Sequence, residues 1–276
     1  MDHFVRPGLR FEVLDSGPAD APAVVLLHGF PQQPSSFEAV ASRLNAAGLR
    51  TLTPSQRGYT RTARPTRRRD YRTAATAADV VALLDTAGLA QAHLVGHDLG
   101  GNQAWGAADW HSDRVATLTV LSTPHPAAFV KSLLTSKQGL LSWYMAFIQL
   151  PVLPEALVRR TLAKSLVDNG LPAVFADRYA EAMAEQGALT GALNWYRGIP
   201  LSMREPLGPI KVPTSYISGR HDFALSRRAV ELTANYVDGP YEMVELDADH
   251  WLPETHPDAV ADAILARART PEAPTP

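Results

Sequence analysis

The order of short apolar runs and helical patterns constrains this chain most. "AVVLLHG" (23–29) is a continuous apolar run ending in glycine, as a strand buried on both faces of a parallel sheet should be. "LRTLTP" (49–54), "AHLVG" (92–96) and "VATLTVLST" (115–123) read as three more strands. Between them, "AATAADVVALLDTAG" (74–88) spaces Val80, Leu83, Leu84 and Ala87 along one helix face, with Gly88 placed to cap its C-terminus. "GNQAWGAADW" (101–110) follows as another helix. Strands alternating with helices imply an α/β fold, a mostly parallel central sheet with helices on both faces.

The alternation stops near Pro126. From there to Pro206 helical patches recur, around 127–137, 140–149, 154–166, 172–186 and 188–196, and no strand pattern interrupts them. The rhythm then resumes with "PTSYISG" (213–219), a helix at 226–236, "YEMVEL" (241–246) and a last helix near 256–268. The expected organisation is a core domain made of 1–125 and 207–276 with an inserted all-helical cap at 126–206. The tail "TPEAPTP" is expected to fray.

With 276 residues, 46% of them hydrophobic, the chain can bury one large core and an insertion. Its net charge is -2 with both signs mixed, which argues against nucleic acid and against a membrane as partner. The basic run Arg67-Arg68-Arg69 reads as a solvated loop. Without cysteine there is no disulfide framework or thiolate metal site. The first residues lack the apolar core of a signal peptide, and the apolar stretch at 139–153 is broken by Ser142, Gln149 and Pro151. The expectation is a soluble, cytoplasmic protein, monomer or homodimer.

Gly96-His97-Asp98-Leu99-Gly100 has the spacing of G-x-S-x-G with aspartate at its centre. In that motif a nucleophile sits on a strained strand-to-helix turn, exposed beyond the carboxyl end of the strand, at a helix N-terminus that favours an anion. An aspartate that merely caps a helix would not need the glycines at 96, 100 and 101, nor the "HG" turn after the earlier strand.

On these residues the chain resembles the α/β-hydrolase superfamily and, within it, the epoxide hydrolases. "HGF", "GHDLGG", a helical insertion, "GRHD" and "DHW" come in that family's order over nearly the whole chain. The resemblance implies Asp98 as nucleophile, Asp222 as acid and His250 as base, in the α/β-hydrolase chain order. Asp222 follows a strand in "ISGRHD"; the other reading is a loop aspartate making a local turn. His250 stands between the last strand and the last helix, and Asp247 and Asp249 are too near it in sequence to orient it. His97 is read as a packed neighbour of the nucleophile.

A carboxylate, with an ordinary pKa of about 3.9, is ionised at neutral pH without help from a base. Its attack on an ester would give an anhydride, whereas attack on a saturated electrophilic carbon gives an ordinary ester. Hydrolysis of that ester needs His250 to deprotonate water, and donors for the oxyanion. The backbone N–H groups of Phe30 and Leu99 are the expected oxyanion hole, with His28 either shaping the turn or serving as a structural histidine. By the resemblance, cap residues Tyr144 in "SWYMAFIQLP" and Tyr196 in "ALNWYRG" match the two tyrosines that hold an epoxide oxygen. Tyr59, Tyr179 and Tyr216 compete with them. The expected pocket is apolar: Trp143, Phe147, Leu150, Phe175, Leu193, Trp195 and Trp251, with His28 beside the nucleophile.

The expectation is an epoxide hydrolase that turns a hydrophobic epoxide and water into a vicinal diol, with no cofactor and no metal. A haloalkane or haloacid dehalogenase is the first alternative. Similar dehalogenases hold halide with an indole directly after the nucleophile, or substrate carboxylate with arginines, where this chain has Leu99 and Asn102; Trp143 and Trp195 could still serve. Leu99 also departs from the tryptophan of many epoxide hydrolases. A ligand-binding protein without catalysis, on the same scaffold, is the second alternative.

Overall fold

The six expected strands form, and two precede them. The computed structural model describes residues 1–269, so the expected fraying at 270–276 lies outside the described residues. The strands are β1 (His3–Arg6), β2 (Leu9–Ser16), β3 (Ala23–Leu27), β4 (Arg50–Pro54), β5 (Ala92–His97), β6 (Val115–Leu121), β7 (Thr214–Gly219) and β8 (Tyr241–Leu246). They make one eight-stranded sheet in the order β1-β2-β4-β3-β5-β6-β7-β8. The pairs β1–β2 and β2–β4 are antiparallel; every later pair is parallel. The unexpected hairpin turns at Pro7-Gly8, where Gly8 has φ 76°, and its strand β2 buries Phe11 and Val13 while exposing Glu12 and Leu14. That period-two pattern was available in the sequence.

The continuous apolar runs resolve into two faces. Along β3, Val25 and Leu27 join one core cluster and Val24 and Leu26 the other. The first cluster packs beneath the helices Thr73–Ala87 and Leu99–Trp110, through residues such as Leu83, Leu84 and Trp105. The second packs beneath Glu38–Ala46 and Pro257–Arg269, through Val40, Leu44, Val260 and Ile264. Each of these fully buried aliphatic side chains contributes about 1.5–3 kcal/mol from burial. Gly88 closes the helix Thr73–Ala87 in the left-handed conformation expected of it.

Between β6 and β7 lie six helices: Pro126–Thr135, Gln138–Leu141, Trp143–Ile148, Leu153–Asp168, Ala173–Ala184 and Ala188–Ser202. The inner faces of the last four, with Tyr59, Tyr71, Leu99 and Trp251 from the sheet side, make a third apolar cluster. The patch expected at 140–149 is two short helices divided at Ser142. The helix expected at 226–236 is an α-helix, Arg227–Leu232, running into a tighter 3-10 turn, Thr233–Tyr236. Among the described residues, no helix is long and apolar enough to cross a membrane.

The parallel strands all point their carboxyl ends to one edge of the sheet. Loops after β3, β5, β7 and β8 therefore meet there, under the helical insertion, where ligands bind in open α/β sheets.

Candidate active site

Asp98 occupies the turn between β5 and the helix Leu99–Trp110, with φ 50° and ψ −122°. A non-glycine residue held there is strained, and such strain persists only where the surroundings enforce it. They do: a Cβ on Gly100 would fall on the carbonyl of Leu27, and one on Gly29 on the Asp98 side chain itself. Thr123 adds a hydroxyl that donates to the Asp98 carbonyl at 2.8 Å.

The Phe30 N–H donates to Asp98 Oδ1 at 2.8 Å, and the Leu99 N–H also bonds this carboxylate. The other oxygen, Oδ2, lies 3.9 Å from His250 Nε2. On its far side His250 Nδ1 is 2.8 Å from Asp222 Oδ2, and both side chains are buried. Asp222 also makes the local turn of the alternative reading, since its Oδ1 accepts the Ala224 N–H at 2.8 Å. The two roles use different oxygens.

A cavity of about 420 Å³ opens over Asp98. Leu99, Asn102, Phe129, Met145 and Ile199 line it, and so do Tyr144 and Tyr196. The two tyrosine rings meet edge to face at 5.8 Å, from the helices Trp143–Ile148 and Ala188–Ser202. Tyr196 in turn meets Phe30 edge to face at 5.6 Å.

A sequence model of the alpha/beta hydrolase fold matches residues 22–257. The chain belongs to that family. It is 33% identical to the AB hydrolase superfamily protein YfhM of Bacillus subtilis, over 94% of each chain. It is 32% identical to epoxide hydrolase A of Mycobacterium tuberculosis, again over 94% of each. A solved epoxide hydrolase from metagenomes of hot environments superposes with a TM-score of 0.85 at 28% identity, over 96% of this chain and 97% of the other. Epoxide hydrolase A of Mycobacterium thermoresistibile superposes at 0.83 and 26% identity, over 97% of each. This α/β-hydrolase is an enzyme, in a part of the family whose curated members include epoxide hydrolases.

The charges of this hydrolase are set by burial and by one another. Burial raises the Asp98 pKa, while His250 and the Phe30 and Leu99 N–H groups pull against it. Burial disfavours a charged His250, yet the Asp222 carboxylate, with Asp98 and Glu254 beyond, outweighs it and raises the imidazole to about 9. Burial also raises both phenols, Tyr144 and Tyr196, and the Asp98 charge adds to it. They are therefore neutral donors.

The other expected pocket residues stand elsewhere, so the cavity walls differ from those expected. Trp143 is exposed, turned out of the insertion by the helix that turns Tyr144 in, and Leu150 is exposed at the next bend. Phe147 is half-buried against Trp143, and Phe175 stacks on Tyr179. Leu193 is fully buried in the cluster under the insertion. Trp195 donates its indole N–H to the Arg57 carbonyl at 2.6 Å. Trp251 donates to the Asn169 carbonyl at 2.9 Å and packs edge to face on His250. His28 is buried against the Gly29 carbonyl and the Gln56 N–H, and burial lowers its pKa to about 4. It is neutral and holds the turn.

The competing tyrosines have other bonds or other places. Tyr59 donates to the Gly29 carbonyl at 2.9 Å and Tyr179 to Glu254 at 2.8 Å, while Tyr216 is buried in the sheet core. Two polar residues outside the expected set join the site from behind. Gln32 Oε1 accepts the Gly29 N–H at 2.9 Å and sits 2.7 Å from His97 Nδ1, while its Nε2 donates to Glu254 at 2.7 Å. His97 Nε2 lies 2.9 Å from the His250 carbonyl, so this chain of contacts ties the "HG" turn to His250. Nothing in the spacing of Gln32 and Glu254, 222 residues apart, marks them as partners. Among the described residues no cluster of three or more His, Asp or Glu is placed to hold a metal ion.

Proposed function

We propose that this enzyme opens a hydrophobic epoxide through a covalent ester on Asp98 and hydrolyses it to a vicinal diol. The observation that carries the reading is the position of the elbow carboxylate. One oxygen accepts the Phe30 N–H, the Leu99 N–H also bonds the carboxylate, the other oxygen faces His250, and two neutral phenols share its cavity.

In the first step the carboxylate oxygen facing His250 attacks an epoxide carbon, and that carbon–oxygen bond breaks. The released alkoxide takes a proton from Tyr144 or Tyr196, and the proton of the resting His250 imidazolium passes to that phenolate, which leaves an ester, both phenols and a neutral imidazole. In the second step His250 removes a proton from water, and the hydroxide adds to the Asp98 carboxyl carbon. The tetrahedral oxyanion forms where Phe30 and Leu99 already donate. Its collapse expels the diol oxygen, which takes the proton from His250; the proton left on the Asp98 carboxyl passes to the imidazole, and the resting carboxylate and imidazolium are restored. The helical insertion acts as the cap that brings the phenols over the nucleophile and keeps bulk water out.

Halide release has less support. Of the two indoles that could have served it, Trp195 has its N–H bonded to a carbonyl and Trp143 faces outward. A single turnover of styrene oxide in ¹⁸O-labelled water tests the proposal. The first diol is expected to carry unlabelled oxygen from Asp98, with label entering the protein. Label in the first diol would mean direct attack by water, and unchanged epoxide at enzyme excess would mean a binding protein.

A further inference from the structure

We propose that the outer face of the helical insertion docks on an anionic lipid surface, led by the bend at residues 149–153. Leu140, Trp143 and Val152 are 79%, 64% and 74% exposed, and Leu150, Leu153 and Leu157 are exposed with them. These six apolar side chains fall within 18 residues of chain (140–157), on the short helices Gln138–Leu141 and Trp143–Ile148, the bend after them and the start of the helix Leu153–Asp168. Val152 is also held at φ 64°, a conformation a β-branched residue rarely adopts. An exposed apolar side chain on a strained backbone does not stabilise the folded monomer, and six exposed apolar side chains in so short a stretch of chain point to a contact surface.

The charges around this face choose the occupant. Residues 126–168 contain five basic side chains, Lys131, Lys137, Arg159, Arg160 and Lys164, against two acids, Glu155 and Asp168, the second paired with Lys164. Glu155 is turned inward and consumed by the buried Arg197, at 2.7 Å. Lys131, Lys137 and Arg160 are exposed and have no ion-pair partner among the described residues. The Arg67-Arg68-Arg69 run joins them from the sheet side, because Arg68 donates to the Gln149 carbonyl at 3.1 Å, beside Leu150. Only Asp70 accompanies that run. A second copy of the chain would set this cationic border against itself. Apolar side chains within a basic border suit anionic headgroups over acyl chains. The net charge of -2 over the whole chain conceals this local excess.

The exposed surface of the insertion also reaches the active site. Exposed Val130, Lys131 and Leu134 line the cavity over Asp98. A docked enzyme would draw a lipophilic substrate from the lipid. That advantage rests on the proposed epoxide hydrolysis; the docking does not.

Flotation with vesicles of phosphatidylcholine plus phosphatidylglycerol, or of phosphatidylcholine alone, tests the proposal. The protein is expected to float with the anionic vesicles at low salt and to lose them at high salt. Its tryptophan emission should shift to the blue as Trp143 leaves water. A Val152→Asp/Leu153→Asp variant should bind at least about tenfold more weakly, and Arg67→Glu/Arg69→Glu should show the same loss, both with unchanged melting temperature. Because the binding is read without substrate, it stands or falls apart from the epoxide chemistry. The proposal is overturned if the protein does not float, or if both variants float like the parent. It is overturned equally if sedimentation shows a dimer that Val152→Asp/Leu153→Asp dissociates, since the face would then belong to a second copy.

Discussion

His250 Nε2 stands 3.9 Å from Asp98 Oδ2, beyond hydrogen-bond reach but within ion-pair range. The Asp98 charge is one of those that raise His250 to about 9, so the resting imidazole is largely protonated at neutral pH. The proposed ester would neutralise Asp98. That removes one support for the proton at the moment a base is needed. Asp98→Asn imitates the neutral ester, and the His250 pKa followed by NMR titration should fall by about one unit in it. An unchanged titration would mean that Asp98 has no hold on the base.

Replacing the base should separate the two half-reactions. In His250→Gln the first step needs no imidazole, so the covalent adduct should accumulate. Intact-protein mass spectrometry should find the chain heavier by one substrate, on the peptide containing Asp98. Turnover should drop at least about a hundredfold.

The phenols should act in the first step only. Tyr144→Phe and Tyr196→Phe should each slow ester formation, and the double variant should lose about 10²–10⁴-fold. Because both rings pack in the cavity wall, phenylalanine keeps their shape and melting temperatures should hardly move. Rapid-quench measurement of the ester distinguishes this from an effect on its hydrolysis.

Glu254 gives the fold a pH dependence of definite sign. Burial raises its carboxyl from 4.5 to about 7, against the bonds from Gln32 and Tyr179. The folded state thus binds more protons than the unfolded chain in between. Its stabilising contribution is complete below pH 4.5 and is lost as pH rises through about 7. Glu254→Gln should remove this component, on the order of 3 kcal/mol, from denaturant midpoints compared across that window. The decline from His250, between 6.5 and about 9, should remain.

Arg197 holds the insertion together near Tyr196. It pairs with Glu155 and donates to the Ile148 and Leu150 carbonyls, each at 3.0 Å. Arg197→Ala leaves Glu155 without its partner and should cost about 3–5 kcal/mol, read by denaturant unfolding. A Glu155→Leu/Arg197→Met double variant should recover much of that loss, because it leaves no unpaired charge.

Local chemistry made much of this protein legible in the chain. Short apolar runs announced β3 to β8, three of them ending at a glycine, and strands buried on both faces such as β3, β6 and β7 admit little else. Glycines around Asp98 announced an elbow because no side chain fits where Gly29 and Gly100 lie. The hairpin of β1 and β2 was equally available in its alternation, yet only its pairing with β4 makes it part of the sheet. Contact across the chain belonged to the tertiary structure alone. Trp143 and Tyr144 are neighbours in sequence, and helix rotation sends one outward and the other toward Asp98. Trp195 and Tyr196 divide in the same way, one bonding Arg57 and the other lining the cavity. The link from Gln32 to Glu254 spans most of the chain and follows from no local pattern. Residue type and spacing specify which backbone can form; which side chains then meet depends on how the insertion seats over the strand ends.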